Sequence, residues 1–185
     1  MRHTIALTAL ALAGTAFAAD DGFQRGTTRW NNKPAPRGDK LMRKTMLTEH
    51  NAARRAYGSA PLVWDDALAR DAARYAGVLA KRGKMAHDPQ PGVKPRQGEN
   101  LFMGTRTAYS YKAMARLWVD ERRWFKKGRF PEVVTSGPWT RVGHYTQIVW
   151  PSTQRVGCAL DDNKNEDVLV CRYLPAGNYF GVELK

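Results

Sequence analysis

Val156-Gly157-Cys158-Ala159-Leu160-Asp161-Asp162-Asn163-Lys164-Asn165-Glu166-Asp167-Val168-Leu169-Val170-Cys171 holds two apolar runs around a polar, turn-rich centre. Two such runs around a short turn predict a β-hairpin. With its centre between Lys164 and Asn165, residues whose numbers sum to 329 lie opposite each other. Cys158 and Cys171 satisfy that sum. Directly opposed antiparallel residues have Cα atoms about 4.5–5.5 Å apart, within reach of a disulfide. The hairpin and the cysteine pair therefore support one another, and both cysteines of the chain are used.

Upstream lies Gly143-His144-Tyr145-Thr146-Gln147-Ile148-Val149-Trp150. His144, Thr146, Ile148 and Trp150 alternate with Tyr145, Gln147 and Val149, so this stretch reads as a strand with His144 near its start. Downstream, Cys171-Arg172-Tyr173-Leu174-Pro175-Ala176-Gly177-Asn178-Tyr179 continues the hairpin into a Pro/Gly-rich segment. The two stretches, with Val156-Gly157-Cys158-Ala159 between them, closely resemble the two signatures of the CAP superfamily. That superfamily holds the cysteine-rich secretory proteins, antigen 5 and the pathogenesis-related class 1 proteins. Upstream matches extend the resemblance over residues 41–185: Leu47 to Arg54 resembles the family's opening helix, and Gly98-Glu99-Asn100 its turn into a strand. The resemblance implies an α+β fold, a three-layer αβα sandwich around a small, mainly antiparallel sheet.

Three helices are legible without the resemblance. The first runs from Leu41 or Met42 to Tyr57 and ends at Gly58. Its His50 has no partner spaced for metal binding and reads as structural. The second follows Asp65, a residue type favoured at N-caps, and stops before Gly83. Leu68, Ala72, Tyr75, Ala76 and Leu79 give it an apolar stripe suited to close packing. The third is expected from about Tyr109 to Phe125, with Tyr111, Met114, Ala115, Trp118 and Phe125 along one stripe. Glu121 falls inside that stripe. A carboxylate on a buried face needs hydrogen bonds, a cation or a metal to offset its desolvation, which marks Glu121 as a site residue.

The chain has 185 residues and a formal charge of +13. Arg2, the apolar stretch Ile5 to Ala13 and the small-residue site Ala16-Phe17-Ala18 read as a secretory signal over residues 1–18. Residues 19–40 lack periodicity and carry Arg25, Arg29, Lys33 and Arg37, which predicts a basic arm, with Phe23 and Trp30 expected to dock on the domain. Residues 41–185 then form one domain. Loss of Arg2 leaves 29 basic against 17 acidic residues, or +12. That surplus favours anionic partners and equally serves solubility, so it does not choose among lipid head groups, lipopolysaccharide, glycans and nucleic acid. At the end of the third helix, Arg122, Arg123, Lys126, Lys127 and Arg129 interleave with Trp124, Phe125 and Phe130. This cluster fits a helix dipole as well as peripheral membrane contact.

His87, Glu99, Glu121 and His144 come from four separate elements, and the resemblance implies that they line one open cleft. Two imidazoles and two carboxylates there can take Zn²⁺ through His87 and His144, with water or a glutamate completing the shell. The glutamates can instead orient the imidazoles from behind. No cofactor is required by this reading. The resemblance implies a secreted or periplasmic binding module for a lipid, a sterol or an anionic envelope or host component. Nucleic acid is not expected as a physiological partner. The alternative is a metal-dependent, peptidase-like hydrolase using Glu99 and Glu121. No H-E-x-x-H helix or recognisable nucleophile motif supports that alternative. Nor is there the cysteine-rich C-terminal extension to which the family's ion-channel and venom activities are tied.

Overall fold

The computed structural model describes residues 33–185; the expected signal at residues 1–18 and the arm through residue 32, with Phe23 and Trp30, lie outside them. Among the described residues four helices and six strands follow in the order α1 (Asp39–Tyr57), β1 (Val63–Trp64), α2 (Asp66–Arg82), β2 (Gly98–Thr105), α3 (Tyr111–Val119), β3 (Gly128–Arg129), α4 (Gly143–Val149), β4 (Arg155–Asp162), β5 (Glu166–Leu174) and β6 (Glu183–Leu184). Short 3₁₀ turns at Asp120–Trp124 and Trp139–Val142 flank the β3 region. The main sheet has the strand order β1-β4-β5-β2, antiparallel except for the parallel β1–β4 pair. Strands β3 and β6 form a separate two-stranded sheet.

The expected hairpin is β4–β5, and Cys158 faces Cys171 in its register. The two are bridged, with Cα atoms 4.0 Å apart. Along β5, successive side chains point to opposite faces. Val168 and Val170 join Ala72, Ala76 and Leu79 of α2 in one core. Leu169, Cys171 and Tyr173 join Met46, Met114, Trp118 and Ile148 of α1, α3 and α4 in the other. One sheet between two helical layers is the αβα sandwich. Gly157 lets α2 lie close against the sheet, since a Cβ there would sit 2.2 Å from the Ala69 nitrogen.

Helix α2 has the ends expected of it. The Asp65 carboxylate accepts from the N–H groups of Ala67 and Leu68 at 2.8 and 3.1 Å, and Gly83 closes the last turn at φ 62°. Helix α1 begins at Asp39, ahead of the expected start at Leu41 or Met42, and is closed after Tyr57 by Gly58 at φ 104°. The segment before it packs on the domain: Ala35 donates its N–H to the Thr107 carbonyl, and Arg37 pairs with the buried Asp167.

Two expectations are corrected. Residues 143–149 are a helix, not a strand, and His144 sits in its first turn. Every residue from Tyr145 to Trp150 is buried, so the alternation there does not separate a core face from a solvent face. Burial against α1, α3 and β2 overrides the strand preference of Thr146, Ile148 and Val149. The third helix is also shorter than expected. It starts at Tyr111 behind a Ser110 cap and gives way at Asp120 to 3₁₀ geometry, which swings Glu121 towards α4.

Candidate functional site

Two histidine–glutamate pairs stand at one end of the sandwich, and each is held differently. His87 lies four residues beyond the end cap of α2, in a loop tied down by Tyr75, whose hydroxyl donates to the Ala86 carbonyl at 2.6 Å. Glu99 is the second residue of β2 and lies directly opposite Arg172 on β5. His87 Nδ1 is 2.6 Å from Glu99 Oε1, and Arg172 Nη2 is 3.1 Å from Glu99 Oε2. The same Nη2 donates to Asp88 Oδ2 at 2.6 Å. Arg172 is 1% exposed and its guanidinium lies 5.2 Å from the centre of the Tyr75 ring. A cation so desolvated requires anionic partners, and Glu99 and Asp88 supply them. Burial, followed by the Glu99 and Asp88 charges, pushes the Tyr75 phenol up.

The second pair is built on α4. His144 Nδ1 is 2.6 Å from Glu121 Oε1. Glu121 Oε2 accepts from the backbone N–H groups of His144 and Tyr145, both at 3.0 Å. Val142, at the N-cap of α4, offers no side-chain cap, so Glu121 supplies it from another element. Trp118 stacks on the His144 ring at 5.9 Å with an 18° tilt. Asn178 donates to the Gly143 carbonyl and accepts from Thr146 Oγ1, binding the segment after β5 to α4. Gly98 permits the close approach of α4 to β2, because a Cβ there would be 2.1 Å from Gln147 Oε1.

His87, Glu99 and His144 line one cavity of about 410 Å³, together with Arg96, Trp139 and Tyr179. Glu121 stands behind His144 and reaches the cavity through it. A carboxylate accepts a hydrogen bond from Nδ1–H, so the neutral form of each imidazole carries its proton on Nδ1 and its lone pair on Nε2. This is the arrangement in which a carboxylate fixes the tautomer of a metal-binding histidine and raises its basicity. Of the two roles open to the glutamates in sequence, orientation from behind is the one this geometry favours. Among the described residues no group of three or more His, Cys, Asp or Glu side chains is arranged to hold a metal ion. An ion held by His87 and His144 would keep open positions.

Sequence reasoning missed Arg172, Asp88 and Asn178. Arg172 had a signal: it is the lone charge inside the run Val168 to Leu174, the same anomaly that marked Glu121. His50 lies apart from the cleft, fully buried. Its Nδ1 is 2.8 Å from the Met46 carbonyl and its Nε2 is 2.8 Å from the Tyr173 hydroxyl.

Comparison with known proteins places this geometry in context. The family model described as "Cysteine-rich secretory protein family" matches residues 47–173. A pathogenesis-related protein of PR-1 type from Sambucus nigra is 36% identical over 133 residues, 71% of this chain and 75% of that protein. Pathogenesis-related protein 1A1 from Solanum lycopersicum is 37% identical over 138 residues, 74% of this chain and 73% of that protein. The crystal structure of NaASP2 with Zn²⁺ superposes with a TM-score of 0.62 at 24% identity, covering 81% of this chain and 88% of that one. Hookworm platelet inhibitor gives 0.59 at 20% identity, covering 81% and 79%.

Proposed function

The chain belongs to the cysteine-rich secretory protein (CAP) family, and on that premise we propose that it is an exported binding module whose cleft takes a divalent transition metal through Nε2 of His87 and His144. The observation that carries this reading is the repeated pair: each histidine gives Nδ1 to a carboxylate at 2.6 Å, and both imidazoles line the cleft. Glu99 is fixed by Arg172, and Glu121 by two backbone N–H groups. NaASP2, which shares the fold, has been crystallised with Zn²⁺. When bound, the ion would supply a Lewis-acidic anchor for an oxygen-rich or anionic head group, and Arg96 adds a cation to the same cleft. The ligand class is therefore a lipid or an anionic envelope or host component. The Cys158–Cys171 bond suits an oxidising compartment, and the relatives named pathogenesis-related fit an extracytoplasmic setting.

Hydrolysis is the weaker reading, because both glutamates are already engaged. A general base must reach the attacking water, but Glu99 holds His87 through Oε1 while its Oε2 is buried beside the Arg172 guanidinium, and both oxygens of Glu121 accept hydrogen bonds. Calorimetry with zinc separates the outcomes. The full-length domain should bind one ion, and His87→Ala and His144→Ala should each abolish binding. Binding should also weaken on acidification, since only a neutral imidazole ligates. If neither substitution lowers the affinity, the metal reading fails and the pairs are a hydrogen-bonded cluster tying loop and helix to the sheet. Zinc-dependent hydrolysis of peptides or glycans would overturn the binding-module reading in favour of an enzyme.

A further inference from the structure

Beside the cleft, residues 179–182 break the usual rule for a surface loop. Phe180 is 68% exposed, Tyr179 53% and Val182 40%, three large apolar side chains within four residues. The loop is not slack. Gly181 donates its N–H to the Phe130 carbonyl and Phe130 donates its N–H to the Val182 carbonyl, both at 2.8 Å. Phe180 is braced from below, 5.6 Å from the Phe130 ring and 6.3 Å from Trp139. Three large apolar side chains held together on a braced tip and open to water form the kind of exposed patch that marks an interaction site.

The surroundings of the loop are cationic. Arg129 adjoins Phe130, and Lys126 and Lys127 precede it, all three exposed. Arg141 follows Trp139 by two residues and lies 4.5 Å over the Trp124 ring, with Arg123 3.8 Å over the same ring. Acidic residues are interspersed with this group, Glu132 and Glu183 near the loop and Asp120 and Glu121 ahead of Arg123, and Glu183 is 4.0 Å from Arg129. Five cations around an apolar tip are complementary to a surface with anionic head groups above an apolar layer. Indole and phenol rings favour that boundary, where one edge is wet and the other is not. A soluble polyanion would use the cations and leave Phe180 and Val182 in water.

We propose that the Tyr179–Val182 loop and the collar Arg123, Lys126, Lys127, Arg129 and Arg141 form a docking face for an anionic lipid bilayer, with Phe180 entering the head-group layer. Among the described residues no helix is long and apolar enough to cross a membrane, and docking of this kind is peripheral. Tyr179 and Trp139 belong both to this face and to the cleft wall, so docking turns the cleft mouth towards the lipid surface. The proposal does not depend on whether the cleft holds a metal.

The test is co-sedimentation with vesicles of phosphatidylcholine alone and of phosphatidylcholine with 30% phosphatidylglycerol, at low and high salt. The protein should begin at Ala19, which keeps the whole described domain and omits the apolar stretch 5–13. Binding is expected to the anionic vesicles only, and to fall as salt rises. Phe180→Ser with Val182→Ser should lower vesicle binding at least about tenfold, as loss of a buried aromatic side chain implies. The same double variant should elute from a dextran sulfate column at the wild-type salt concentration. Lys127→Ser and Arg129→Ser should each lower vesicle binding about fivefold and also advance elution from dextran sulfate. Near-ultraviolet circular dichroism of each variant should match that of the wild type. Wild-type vesicle binding by the Phe180→Ser/Val182→Ser protein would overturn the proposal and assign the collar to soluble polyanions. Absence of binding to anionic vesicles at low salt would overturn it outright.

Discussion

Acidification should destabilise the protein through His50 before its carboxylates are protonated. His50 is wholly buried, and its pKa is lowered from 6.5 to about 4, chiefly by burial, with the Arg54 charge adding to the effect. The Met46 carbonyl can only accept, so Nδ1 carries the proton and Nε2 accepts from the Tyr173 hydroxyl. Asn100 donates both to that hydroxyl and to the His144 carbonyl, at 3.1 Å each, so the network reaches α4. A protonated His50 would lose the bond from Tyr173. Above pH 6.5 the histidine is neutral in both folded and unfolded states, and its contribution is fully present. As pH falls from 6.5 to about 4 the unfolded chain takes up a proton that the folded one refuses. The slope approaches 1.36 kcal/mol per pH unit, so about 3 kcal/mol is lost across the window. Asp65 and Asp71, held below their usual value of 3.8 by hydrogen bonds and arginines, lose their contributions at lower pH and fall outside it. Urea unfolding followed by tryptophan fluorescence at half-unit steps from pH 7.5 to 4 measures the slope. His50→Gln keeps a donor and an acceptor without titrating. Its stability is offset by the shape change, but the difference from wild type should shrink by about 3 kcal/mol towards pH 4. A difference that stays constant across the window would refute the argument.

Removing the disulfide by Cys158→Ala with Cys171→Ala should cost about 2–3 kcal/mol in urea unfolding, from the loop-closure entropy returned to the unfolded chain. Zinc affinity of that variant should be unchanged, since Cys158 and Cys171 do not line the cleft. Gly98→Ala should cost roughly 1–3 kcal/mol, because the added Cβ would be 2.1 Å from Oε1 of the buried Gln147 amide and would push it off the Gly177 N–H it accepts from. Glu121→Gln should reduce zinc affinity about 10–100-fold, because the amide holds the His144 ring less firmly than the carboxylate does.

The parts of this structure written in local chemistry were legible in the sequence. The turn centre placed Cys158 opposite Cys171, and Asp65 and Gly83 marked the ends of α2, because each rests on neighbours within a few residues. Glu121 was legible for a different reason, as a charge where the pattern asks for an apolar side chain. What stayed hidden depends on residues far apart in sequence. Helix α4 shows no helical period because it is buried on nearly all sides, and its cap comes from Glu121, 23 positions away from His144. The break in the third helix after Val119 follows the need to bring that carboxylate to α4, and nothing at Asp120 announces it. Arg172 acquires its role only when β2 and β5 pair and set it against Glu99.

The most direct test of the cleft is anomalous diffraction at the zinc edge from crystals soaked in zinc at neutral pH. One peak is expected inside the cavity, with bonds of about 2.0–2.1 Å to Nε2 of both His87 and His144 and non-protein oxygen in the remaining positions. Glu99 and Glu121 should remain on the two Nδ1 atoms, outside the ion's coordination sphere. A peak bound to only one of the two histidines, or no peak in the cavity, would contradict the proposed metal site.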